Sequence, residues 1–188
     1  MFLALREIRH ARLRFALIAV MIVLVSSLVF IISGLATGLS TGNTAAIQAM
    51  PIDRLVVSVD SDRRLDRSTV SAGDAKAIAA IDGITLAEPI GISATSLKAE
   101  GKEGLIGASL FGIQPGGVMM PHIVDGTAFT ESNAEHPVVV DETLKDDGVH
   151  LGDTITITPG DLKLTVVGIT SGQTYRLAPV IFMPIETW

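Results

Sequence analysis

Phe15–Leu39, FALIAVMIVLVSSLVFIISGLATGL, is the stretch whose reading decides the rest of the chain. Its 25 residues carry no charged side chain. At about 1.5 Å per residue a helix of this length reaches roughly 37 Å, enough to cross a ~30 Å hydrocarbon core with some tilt. A soluble core helix keeps a polar face for water, and this run has none. A cleaved secretory leader has an apolar core of about 7–15 residues followed by a small-x-small site, whereas the run here is longer and no such site follows a short core. The chain has no cysteine, which removes lipoprotein processing as well. The run predicts a retained membrane-spanning helix.

Charge then orients it. Residues 1–14 hold Arg6, Arg9, Arg12 and Arg14 against Glu7, a net +3, whereas residues 15–188 hold ten basic and nineteen acidic side chains, a net −9. The positive-inside rule keeps the arginine end in the cytoplasm of a cell membrane and places everything after about residue 45 outside. An acidic outer domain argues against nucleic acid as a partner. In Met1–Arg14 the apolar residues Ala4, Leu5, Ile8 and Ala11 recur at helical spacing, opposite Arg6, Arg9 and His10. Such a segment can lie among anionic membrane lipids as a cytoplasmic elbow. The arginines either fix topology alone or belong to an elbow that passes force into the span.

Gly34, Gly38 and Gly42 stand four apart at the outer end of the run, in GLATGLSTG. On a helix they share one face, where missing side chains let another helix approach closely, and Ser33 and Thr37 flank it. Each glycine costs a helix roughly 1 kcal/mol, so three on one face predict packing within a bundle or dimer.

Helical character continues to Met50 and stops at Pro51, giving residues 15–50 as the span with its outer extension. The remaining chain of about 138 residues suffices for one domain with its own core. Leu55–Asp60 reads as a strand, and Val70–Ile81 as a helix with Ser71 and Asp74 as its capping pair and Gly83 closing it. The helix's Ala75, Ile78, Ala79 and Ile81 are expected to pack on a sheet. Ile92–Lys98 and Leu105–Ile113 form a hairpin around Glu100–Glu103, and Gln114–Met120 is a loop. Pro137–Asp141 is a buried strand, followed by a turn or short helix at Glu142–Asp146. Asp153–Thr158 and Leu162–Thr170 form a second hairpin over Pro159-Gly160-Asp161, and Val180–Met183 is the last strand. The expected architecture is an α+β extracytoplasmic domain, residues 51–184, with a mixed or antiparallel sheet of about seven strands and one or two helices, carried on one N-terminal transmembrane helix.

Most catalytic signatures are absent from the sequence. No phosphate-binding G-x-x-x-x-G-K-[ST], H-E-x-x-H, calcium loop or G-x-G-x-x-G occurs. His10, His122, His136 and His150 have no metal-site spacing, and without cysteine no thiolate site can form. These readings predict no catalytic residue, no metal site and no cofactor within the chain.

Asp125-Gly126-Thr127-Ala128-Phe129, Pro137–Leu144 (PVVVDETL), Leu151–Ile155 (LGDTI) and Leu164–Ile169 (LTVVGI) occur in an order that resembles the extracytoplasmic core of ABC transporter permeases of the macrolide-exporter and lipoprotein-release type. Leu3–Arg9 and Leu13–Phe15 look like the elbow of such permeases. The short outer domain and this opening look most like Gram-positive haem-exporter permeases. The resemblance implies a permease subunit, not itself an enzyme. It would work with a second copy and a separate cytoplasmic ATPase that binds ATP and drives export of a hydrophobic or amphiphilic substrate, haem among the possibilities. Candidate substrate contacts on that basis are Met119, Met120, His122, His136 and Tyr175, with Met119 and Met120 as an apolar loop tip. Family permeases have about four membrane helices, so residues 185–188 are expected to begin a return to the membrane that the chain does not complete. A single-span anchored binding or scaffolding domain is the other reading.

Overall fold

The computed structural model describes residues 11–62, 64–101, 104–132 and 134–188. Arg6, Arg9 and His10 of the expected elbow lie outside the described residues, as does the Lys102-Glu103 half of the first hairpin loop. The chain divides into two compact units at Thr41/Gly42.

Helix α1 spans Arg12–Gln48. Its Arg12–Ser40 portion is long and apolar enough to cross a membrane, and none of its strongly apolar stretch is buried inside the protein. Among the described residues its large apolar side chains are exposed, as on a helix that faces lipid. Thr37 donates its hydroxyl to the carbonyl of Ser33, one turn back, at 3.0 Å.

Residues 42–188 form a mixed sheet. The strands are β1 (Gly91–Ala99), β2 (Ile106–Ile113), β3 (Ile123–Gly126), β4 (Pro137–Asp141), β5 (Thr154–Thr158), β6 (Leu162–Thr170), β7 (Thr174–Tyr175) and β8 (Ala178–Pro184). Pairing runs β2–β1–β5–β6–β4–β8, and β8 returns to β2, so six strands close on themselves. β4–β6 and β2–β8 are parallel and the other pairs antiparallel. β3 adds to β6, and β7 forms a hairpin with β8.

Closure sorts the side chains by the two-residue period of a strand. Ala108 and Leu110 of β2, Val138 and Val140 of β4, Ile155 and Ile157 of β5, and Ile181 and Met183 of β8 fill the inside. The alternate residues Phe111, Ile113, Val139, Val180 and Phe182 form a second core on the outside. On β6 the inward set runs Leu164, Val166, then Ile169; the register shift opposite Val138/Val139 accounts for the extra residue.

The capping box of the short helix α2 (Ala72–Ala79) is present: Ser71 Oγ accepts from the amide of Asp74, whose carboxylate accepts from the amide of Ser71. Its apolar face, however, does not pack into the core. Ala75 and Ile78 are half-buried, and Ala79 and Ile81 are exposed, because the outer face of β2, β4 and β8 is already covered by residues 46–50.

Leu55–Asp60 is not a strand either. It runs as a loop into a single 3-10 turn, Val59–Ser61. Serine side chains supply the missing partners: Ser68 Oγ accepts from the amide of Ser58 at 2.9 Å, and Ser61 Oγ donates to the Ser58 carbonyl at 2.6 Å. At the other end Ile185 donates its amide to the Ile113 carbonyl at 2.9 Å. The indole of Trp188 lies against Gly91 and Gly112, which face each other across β1 and β2, and donates to Ser93 Oγ at 3.1 Å.

Candidate functional site: the helix-docking hairpin

The last turn of α1 and the residues just after it pack on the sheet. Ala46 is wholly buried and Met50, two residues past the helix end, nearly so, and both belong to the core of Phe111, Ile113, Val139, Val180 and Phe182. Phe111 sits edge-on to Phe182 with ring centres 5.7 Å apart, and edge-on to Tyr175 at 5.4 Å.

The β7–β8 turn grips the same helical segment. Its two residues, Arg176 and Leu177, both have positive φ, 54° and 62°. This geometry is usual for a two-residue hairpin but is normally made by Asn or Gly. Bulky residues there cost of order 1–3 kcal/mol each and persist only where surroundings hold them. Here the Arg176 amide donates to the Asn43 carbonyl at 3.0 Å, and the Leu177 amide to the Gly42 carbonyl at 3.2 Å. Leu177 Cδ2 lies 2.9 Å from where a Cβ on Gly42 would stand, so this glycine makes room for the hairpin. Gly34 and Gly38 differ: an added Cβ on either meets nothing within 4 Å.

Beside the turn an open cleft of about 460 Å³ is lined by Asn43, Thr44, Arg64, Leu65, Asp66, Tyr175 and Arg176. Arg64 Nη2 lies 2.8 Å and Arg176 Nη1 3.5 Å from the same oxygen, Asp66 Oδ2. The hydrogen bond from Arg64 holds the Asp66 carboxyl at about 2, below its ordinary 3.8. A lowered carboxylate value means the contact is complete above pH 4 and is lost as pH falls through about 2. Carboxyl-carbon NMR of Asp66 is expected to titrate near 2; a midpoint near 4 would mean the pair is not formed in solution.

Of the substrate candidates, Met119, Met120 and Tyr175 meet at the outer core, and His122 and His136 lie in other surroundings. Met119 is buried in the outer core, with Met120 and Tyr175 packed against it. Met119 is therefore no exposed loop tip: the Gln114–Met120 loop folds inward, and Glu88 accepts from the Val118 amide. His122 is exposed, and its carbonyl accepts from Thr170 Oγ1 at 2.8 Å. His136 is half-buried at positive φ, with its ring 3.9 Å from Glu135. Arg12 and Arg14 lie at the start of α1. The Arg64–Asp66–Arg176 cluster and the positive-φ turn had no sequence signal, since neither Arg nor Leu marks such a turn.

The motifs along the second half meet at one corner of the sheet. Gly126 has a positive φ of 77°, and a Cβ there would meet the Val167 carbonyl and Leu151. The Thr127 amide donates to the Val167 carbonyl at 2.9 Å, and the Gly152 amide to the Val166 carbonyl at 2.8 Å. Gly168 leaves room for the carbonyl of Thr127. The family model of the MacB-like periplasmic core domain matches residues 15–188. The chain belongs to that family.

Among curated relatives of this MacB-like chain, a protein of Staphylococcus haemolyticus assigned as the hemin transport system permease HrtB is 24% identical over 188 residues, covering 100% of this chain and 51% of the relative. A Staphylococcus epidermidis protein with the same assignment is 26% identical, covering 97% of this chain and 49% of its own length. The chain thus spans about half the length of the curated relatives it matches. Among solved structures, the periplasmic region of MacB from Actinobacillus actinomycetemcomitans aligns with a TM-score of 0.50 at 21% identity, over 69% of this chain and 62% of that one. The MacB-like fold is thereby established, as a mixed-sheet α+β domain following one N-terminal apolar helix. The curated relatives are named as permeases.

Proposed function

We propose that this chain supplies the first membrane helix and the extracytoplasmic domain of an ABC efflux permease, working as a pair of copies with a separate cytoplasmic ATPase. The observation that carries this reading is the docking of residues 42–50 onto the sheet's outer core, with Gly42 and Asn43 bonded to the strained hairpin. A displacement of that helical segment has to move Phe111, Phe182 and the hairpin with it, since close-packed groups shift together. The N-terminus lies in the cytoplasm, and residues after about 45 lie outside, following the arginine asymmetry. ATP hydrolysis by the partner would move the helix, and the outer domain would follow and expel a hydrophobic or amphiphilic substrate. Haem is the first candidate, because the curated relatives are named for hemin transport.

Solubilising membranes that contain the chain in its complete reading frame, then assaying co-purified ATPase with and without haem, tests this directly. An associated ATPase stimulated by haem is the expected result. Stimulation by other amphiphiles alone would keep the permease and discard haem. A preparation with no ATPase would favour a single-span anchored binding domain.

The open face at Gly34 and Gly38 is where a second helix would pack. Gly38→Leu is expected to reduce crosslinking between copies in the membrane several-fold. Undiminished crosslinking would remove this face from the assembly.

A further inference from the structure

The cleft beside the hairpin concentrates positive charge in an otherwise acidic region. Its described lining holds Arg64, Arg176 and Asp66, a net +1, within residues 15–188 of net −9. Both guanidiniums are about half exposed and converge on one carboxylate oxygen. Arg176 is held in place, because its own amide is bonded to the Asn43 carbonyl. Paired guanidinium forks match the oxygens of a phosphate ester better than ammonium groups do.

The depth of the cleft matters too. The apolar portion of α1 ends at Ser40, and the cleft residues Asn43 and Thr44 follow within about 6 Å of helical rise. A bilayer's headgroup layer extends roughly 5–8 Å beyond its hydrocarbon on each side. With α1 spanning a membrane, Asn43 and Thr44 fall at the level of lipid phosphates.

We infer that this cleft binds a phosphate ester, that of an anionic lipid headgroup, through Arg176 and Arg64, with Asp66 as the internal competitor for the same guanidiniums. The inference rests on α1 spanning a membrane and is independent of the ATPase partner and of haem. Occupancy by lipid would tie the docking hairpin to the bilayer surface.

Titration calorimetry of the whole chain in non-ionic detergent tests it, with dihexanoyl phosphatidylglycerol and, separately, inorganic phosphate as probes. The lipid is expected to bind saturably, and at least tenfold more weakly to Arg176→Gln and to Arg64→Gln. Asp66→Asn is expected to bind it severalfold more tightly, since both forks are released; a purely structural ion pair predicts the reverse. Phosphate binding with the same pattern of variants upholds the site and identifies a soluble anion as able to fill it. Lipid affinity unchanged in both arginine variants, or weakened in Asp66→Asn, overturns the inference.

Discussion

Gly168→Ala is expected to destabilise the sheet domain by about 3 kcal/mol or more, among the larger effects a single methyl can have. Its Cβ would meet the backbone carbonyl of Thr127, which cannot swing aside as a side chain could. The adjoining bond, from the Thr127 amide to the Val167 carbonyl, ties the same two segments together and leaves little slack. Gly107→Ala is the matched control: an added Cβ there meets nothing within 4 Å, on the exposed start of β2. It is expected to be neutral or slightly stabilising, through the entropy of the unfolded chain. Thermal unfolding of both variants should separate their midpoints by about 6–12 °C, at about 2–4 °C per kcal/mol for a domain of this size. Equal midpoints would mean that the corner is loosely packed.

Asp141→Ala is expected to cost about 2–4 kcal/mol. This carboxylate is fully buried at the end of β4. It accepts from the amide of Thr143 at 3.1 Å, from the Thr143 hydroxyl at 2.7 Å and from the amide of Gln173 at 2.6 Å. Alanine leaves the Gln173 amide, far along the chain, without its acceptor. Asp141→Asn retains an acceptor oxygen and should fall between alanine and the wild type. Denaturant unfolding checks the order, and an alanine variant as stable as the asparagine one would contradict it.

These two residues also explain what was legible in the sequence. Gly168 and Asp141 belong to LTVVGI and PVVVDETL, where composition reflects a local demand: no room for a side chain, and a strand end that needs acceptors. The alternation of β5, Thr154–Thr158, was readable from its period alone. β3 and β7 were not, because four and two residues carry no periodicity. Leu55–Asp60 has the composition of a strand but finds no ladder, and the side chains of Ser61 and Ser68 bond the Ser58 backbone instead. The apolar face of α2 was legible, whereas its exposure was not, since that depended on α1 having covered the outer core. The docking hairpin was illegible for a different reason. Arg176 and Leu177 adopt positive φ only because the carbonyls of Gly42 and Asn43 hold them there, a contact between distant parts of the chain. Gly42 was visible as a glycine at helical spacing with Gly34 and Gly38. Its neighbour Leu177 could be identified only in three dimensions.

The proposed export function is tested most directly at that contact, by measuring efflux of the proposed substrate, haem, from cells that express the full reading frame with Gly42→Leu, alone and combined with Leu177→Ala. The proposed docked-helix mechanism predicts that Gly42→Leu keeps the proposed ATPase partner bound but loses most export, and that Leu177→Ala, by clearing the space beside residue 42, restores a substantial part. Export undiminished in Gly42→Leu would contradict it.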